Sequence, residues 1–238
     1  MARTAKKQLA HDIASVLEHV YPQAECALKW GTEPWRLLVM ARLSAQCTDK
    51  KVNEVSVPLF EKYPTPEAMA EADIGELEKI IRPCGLYRMK AQSIKESCRQ
   101  LVEQFGGELP EDMDGLLSLS GVGRKIANLL RGDVFGLGGV VVDTHFIRIC
   151  GRLGFYPESE KNPQKIEKIF TPLLSESDQS DFCHRIVMFG REYCTAKNPA
   201  CGICPLAELC ARAKKRRQRR QRRQNEPSAP NKQAQNHM

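Results

Sequence analysis

The stretch Leu117–His145, LSLSGVGRKIANLLRGDVFGLGGVVVDTH, decides how the rest of this chain is read. A Gly-Val-Gly turn that opens a helix presents backbone N–H groups to a phosphate. A lysine at that helix start feels the positive end of the helix dipole, which favours its neutral, nucleophilic form. Lys125 follows the turn closely, and Asp143 stands eighteen residues on, where an apolar run ends and another helix begins. One segment therefore offers a phosphate clamp, an amine and a carboxylate. Each also has a commonplace reading, since most lysines are solvated and an aspartate before a helix is often only its N-cap.

Working outward, apolar residues recur at helical spacing and no convincing strand pattern is present. Leu9, Ile13, Val16, Leu17 and Val20 form one stripe, and Ile94, Cys98, Leu101, Val102 and Phe105 form another. Thr65-Pro66-Glu67 and Asn162-Pro163 read as helix starts, and Asp73 with Glu76 resembles a capping box. Only Val140 to Val142 looks extended. The expected fold is all-α, with roughly ten helices and short Gly or Pro punctuation.

The chain has 238 residues and a formal charge of +7. From Arg212 to the end there are ten basic side chains and one acidic one, leaving residues 1–211 with 26 basic and 28 acidic. A folded part near neutrality must grip an anionic partner through local clusters and backbone donors. The tail, ARAKKRRQRRQRRQNEPSAPNKQAQNHM, has too little apolar content to offset the entropy of ordering, so residues 212–238 are expected to be disordered. Its basic run could extend a helix for a turn or two, or bind additional DNA or RNA. No run is long enough to span a bilayer, so the chain reads as soluble and intracellular. It would be cytoplasmic in a bacterium, while the basic tail is compatible with a nuclear address. We expect a monomer.

Of ten cysteines, Cys26, Cys47, Cys84, Cys98, Cys150 and Cys183 are scattered and read chiefly as small hydrophobes. The other four, Cys194, Cys201, Cys204 and Cys210, have the spacing C-x6-C-x2-C-x5-C. Such density, with one C-x2-C pair, points to a metal site. Zinc remains possible, but a single pair flanked by longer spans better suits a 4Fe-4S cluster in a structural role.

An all-α chain carrying LSGVGRK, then VDTH, then this cysteine array resembles the endonuclease III family of helix-hairpin-helix DNA glycosylases. LSAQCTD at Leu43 to Asp49 and GLYRMKA at Gly85 to Ala91 resemble further family motifs. The resemblance covers about residues 5–211 and implies two lobes with damaged double-stranded DNA bound between them. One is a six-helix lobe at 27–137; the other combines 1–26 with 138–211 and carries the cluster. It implies that Lys125 attacks C1′ of the damaged nucleotide and that Asp143 supports the attack. Gln46 and Leu86 match residues that fill the gap left by a flipped base. Leu119, Gly121, Val122 and Gly123 match the phosphate-binding turn, with Arg124 beside it, and Lys197 is the one basic residue in the first cluster loop. Ser120 stands where the family usually has proline, which would loosen the turn.

The implied activity is removal of oxidised pyrimidines through a lysine Schiff base, followed by β-elimination 3′ to the abasic site. The alternatives are a monofunctional adenine mismatch glycosylase and a non-catalytic DNA-binding iron-sulfur protein. The first usually carries a glutamate where this chain has Ala41, and lacks the lysine.

Overall fold

The computed structural model describes residues 3–225, and among these it contains helices and loops but no strand. The helices are α1 (Arg3–Val20), α2 (Pro34–Leu43), α3 (Asp49–Lys62), α4 (Pro66–Ala70), α5 (Ile74–Ile81), α6 (Tyr87–Phe105), α7 (Met113–Ser118), α8 (Arg124–Phe135), α9 (Thr144–Leu153), α10 (Pro163–Phe170), α11 (Glu176–Glu192) and α12 (Ala211–Asn225). Local chemistry sets many of the starts. Thr65 Oγ1 accepts from the Ala68 amide at 3.2 Å, and Asn162 Oδ1 from that of Lys165 at 3.0 Å. Asp73 Oδ1 likewise accepts from the Glu76 amide at 2.9 Å. The expected capping box is only half formed, however, because the Glu76 carboxylate binds Lys62 and Lys79 instead of reaching back.

Two hydrophobic cores organise these helices. One gathers buried residues between Leu28 and Leu130 from α2 to α8, with Ile94, Cys98 and Leu101 of the α6 stripe fully buried. The other joins Ala10, Ile13 and Leu17 of α1 to α9, α10 and α11, around the rings of Phe146, Phe155, Phe170 and Phe182. Phe146 meets Phe170 edge-on at 4.8 Å, a geometry that adds about 0.5–1.5 kcal/mol beyond area burial. The chain thus starts in the second lobe, crosses to build the first, and returns through Gly136 to Val142.

That return is tight. Asn128 Nδ2 of α8 donates to the Val140 carbonyl at 3.0 Å, and a Cβ on Gly139 would lie 2.3 Å from the Asn128 carbonyl oxygen. The obstruction is backbone, which cannot swing aside. Gly139→Ala is therefore expected to destabilise the fold by about 2–3 kcal/mol, the range for overpacking. Equilibrium denaturation measures it, and unchanged stability would contradict this packing.

The tail departs from the disorder expected of it. Ala211–Asn225 forms a helix, longer than one or two added turns. Ala, Arg, Lys and Gln are good helix formers, and neither Gly nor Pro interrupts them before Pro227. Ala213 is buried, Arg212 pairs with Glu158 at 2.9 Å, and Arg217 pairs with Glu208 at 2.5 Å. Residues 226–238, the remainder of the tail expected to be disordered, lie outside the described residues.

Candidate active site

Helices α7 and α8 pack against each other and are joined by Leu119 to Gly123. Leu119 ends α7 and is buried; its carbonyl accepts from the Val122 amide at 3.1 Å, closing the turn. Gly121 sits at φ +75°, where a side chain is strained, and its Cβ would meet Arg42 Nε at 2.6 Å. Arg42 is held beneath the turn by a 2.7 Å bond from Nε to Ser93 Oγ. Ser120 does not leave the turn loose: its amide, which proline would lack, donates to Gln100 Oε1 at 2.7 Å. Among the described residues, no acceptor takes the amides of Gly121, Gly123 or Arg124. They stand free where the positive end of α8 emerges, as an anion site requires.

Lys125 lies in the first turn of α8, exposed to solvent. It lines a cleft of about 140 Å³ with Asp143, Ser44, Asp49 and Arg191. Asp143 caps α9 by accepting the Phe146 amide on Oδ1 at 2.7 Å, and Oδ2 has no hydrogen bond to the described residues. One carboxylate thus starts a helix through Oδ1 and leaves Oδ2 free among the described residues. Two ion pairs tie the lobes together across this region. Asp49 binds Arg191 at 2.6 Å, and Arg124 binds Glu167 at 2.5 Å. Arg124, which reads as a DNA contact in sequence, is therefore occupied by an inter-lobe ion pair. His145 packs against α11, where Gly190 leaves room: a Cβ there would stand 2.5 Å from Nδ1. Burial, joined by the charges of Arg148, Arg191 and Lys125, outweighs Asp143 and lowers the His145 pKa below the usual range.

Gln46 and Leu86 are the only non-glycine residues at positive φ among those described, at 54° and 49°. Such a backbone costs about 1–3 kcal/mol per residue unless its surroundings impose it. Both side chains are exposed, Leu86 to 48%. Lys90 explains how the two are held. Only 1% exposed, it donates from Nζ to the Leu43 carbonyl at 2.8 Å and to the Cys84 carbonyl at 2.9 Å. One buried ammonium thereby pins the end of α2, just before Gln46, to the turn just before Leu86.

Cys194, Cys201, Cys204 and Cys210 line one cavity with Ile149, Phe189 and Leu206. Among the described residues no three of these sulfurs come within 4.8 Å of one another, so they are spread wider than the ligands of a single tetrahedral ion. Arg152 Nη1 donates to Cys194 Sγ at 3.3 Å and Arg216 Nη1 to Cys201 Sγ at 3.6 Å. Four spread cysteines beside cationic donors would, as thiolates, hold the corners of an anionic 4Fe-4S cluster.

Comparison with known proteins agrees with this geometry. Residues 39–176 match the model of the HhH-GPD superfamily of base excision DNA repair proteins, and residues 194–210 match the iron-sulfur binding domain of endonuclease III. Endonuclease III of Synechocystis sp. (strain ATCC 27184 / PCC 6803 / Kazusa) is 44% identical over 211 residues, spanning 88% of this chain and 95% of that protein. The chain belongs to the endonuclease III family. Two solved structures, a non-covalent endonuclease III–DNA complex and a trapped endonuclease III–DNA covalent intermediate, superpose with TM-scores of 0.82 at 40% identity. Each comparison covers 89% of this chain and 98% of the other.

Within the endonuclease III frame, the cluster loop of this chain is poor in basic residues, with Lys197 alone between the first two cysteines. The structure supplies others from elsewhere. Helix α12 brings Lys215, Arg216 and Arg219 to a surface groove that Lys197 and Arg212 also line. This grouping is not legible in the sequence, where the basic run reads as a disordered tail. No described helix is long and apolar enough to cross a membrane.

Proposed function

We propose that this endonuclease III family member is a bifunctional DNA glycosylase and abasic-site lyase of base excision repair, acting on oxidised pyrimidines in duplex DNA. The observation that carries the reading is a primary amine and a carboxylate with one free oxygen, Lys125 and Asp143, sharing a cleft beside an unsatisfied helix N-terminus.

The amides of Gly121, Gly123 and Arg124 grip a backbone phosphate, which places the adjoining sugar at the cleft mouth. The target nucleotide leaves the stack, and Gln46 and Leu86, exposed on left-handed backbone, fill the gap. Lys125 Nζ then bonds to C1′ as the glycosidic bond breaks. Its proton passes by way of Asp143 Oδ2 to the departing base. The C1′–O4′ bond then breaks as O4′ takes a proton, which opens the sugar ring and leaves an iminium between Nζ and C1′; the iminium acidifies the C2′ proton, whose removal breaks the C3′–O bond and expels the 3′ phosphate, cutting the strand on that side. Water finally hydrolyses the Schiff base and frees the lysine. The cluster holds the C-terminal loop and needs no part in these steps. With alanine at position 41, buried in α2, there is no carboxylate there to support the adenine mismatch reading.

Mass spectrometry of duplexes carrying one oxidised pyrimidine or one abasic site tests this. The expected products are the free base, a 5′-phosphate fragment and a 3′ unsaturated aldehyde. Binding without either cleavage would favour the non-catalytic alternative.

The groove shared by Lys197 and α12 is proposed as a second phosphate contact. Deleting residues 212–238 is expected to shallow the dependence of log affinity on log salt by about 0.9 for each phosphate that the shortened chain no longer neutralises. An unchanged slope would remove the tail from the DNA interface.

A further inference from the structure

Away from the cysteine array, one set of metal-ligating atoms converges. Cys26 lies in the segment after α1, Asp133 near the end of α8, and His184 in α11. Their sulfur, carboxylate oxygen and ring nitrogen all fall within 4.8 Å of one another, the only such set among the described residues. Asp133 and His184 are deeply placed, with side chains 8% and 14% exposed. Asp133 Oδ1 accepts from Ser180 Oγ at 2.5 Å and faces His184 Nε2 at 2.8 Å. Its Oδ2 is buried without a hydrogen-bond partner. Ser180 and His184 satisfy Oδ1, and the Cys26 thiol faces the same carboxylate; a cation held by the three side chains would satisfy Oδ2 as well.

We propose that Cys26, Asp133 and His184 form a zinc site that clamps the two lobes together behind the Lys125 cleft. The ligand set selects the ion. Calcium and magnesium take oxygens, whereas one thiolate, one imidazole and one carboxylate suit zinc, with water in the fourth position. Bonds of about 2.0–2.3 Å place tetrahedral ligands roughly 3.5 Å apart, so modest side-chain rotations close the 4.8 Å span. Ser180 holds the carboxylate from outside, the usual way a metal ligand is oriented. All four side chains line an open groove of about 550 Å³, so an ion enters from solvent, and Glu25, Glu176 and Asp181 on its wall against Lys29 favour a cation. Cys26 and His184 also line the cleft that holds Lys125. A bond through this ion would join α8, which carries Lys125 at its other end, to α11 and to the connection between the lobes. None of the three residues has a part in the glycosylase chemistry proposed above, so the site stands or falls independently of it.

Titrating full-length, cluster-loaded protein with Zn²⁺ against a chromogenic chelator, while following the cluster absorbance, tests the site. One equivalent per chain is expected, with a rise in melting temperature. Cys26→Ser, Asp133→Asn and His184→Asn should each weaken zinc binding at least about 100-fold with the cluster intact. Co²⁺ in place of zinc should give a thiolate charge-transfer band in the wild type that is absent from Cys26→Ser. No zinc uptake by the wild type, or uptake and a cobalt-thiolate band that survive Cys26→Ser, overturns the proposal and leaves these residues a metal-free hydrogen-bonded junction.

Discussion

Lys125→Gln is expected to lose strand cleavage at abasic sites by at least about three orders of magnitude in kcat, because it removes the atom proposed to form the covalent intermediate. Lys125 is exposed and makes no hydrogen bond or ion pair with the described residues, so stability should stay within about 0.5 kcal/mol of wild type. Affinity for duplex DNA should also persist, since the amides of Gly121, Gly123 and Arg124 do not depend on the lysine side chain. Single-turnover kinetics with a melting curve and a binding isotherm on the same preparation separate these effects. A variant that binds and folds yet still cleaves would move the nucleophile elsewhere.

Lys90→Met is the second large effect, and it acts through both stability and positioning. The substitution keeps the volume but leaves the Leu43 and Cys84 carbonyls without their donor. At about 1–3 kcal/mol for each of the two buried carbonyls, a loss of about 2–6 kcal/mol is expected. A burial defect alone would lower activity on every substrate alike. If Lys90 positions Gln46 and Leu86, its removal should reduce cleavage of an abasic site in duplex DNA at least about tenfold more than in single-stranded DNA, where no stack needs filling. Equal losses on both substrates, measured below the unfolding temperature, would make Lys90 a structural lysine only.

The hairpin and the cysteine array are legible in sequence because each depends on neighbours in the chain. A glycine turn before a helix and a C-x2-C pair are local geometry, so Gly121, Gly123 and the four cysteines can be read directly. Gln46 and Leu86 are visible only through their resemblance to family motifs, since nothing in local spacing marks a positive φ at glutamine or leucine. Lys90 escapes a sequence reading because lysine is normally a surface residue, although a signal exists: it precedes Ile94 by one helical step on the apolar stripe of α6. Arg124 reads as free for DNA because its partner Glu167 lies 43 residues away. Helix α12 is hidden for a different reason. Composition correctly indicates that the segment lacks a core of its own, but not that Glu158, Glu208 and a docking site for Ala213 wait on the folded part.

The proposed mechanism rests on Lys125 as the covalent nucleophile. Reaction of full-length protein with abasic-site duplex under borohydride, followed by proteolysis and tandem mass spectrometry, tests it most directly. A single DNA adduct reduced onto Nζ of Lys125 is expected, absent from Lys125→Gln. An adduct on any other residue, or one formed undiminished by Lys125→Gln, would contradict it.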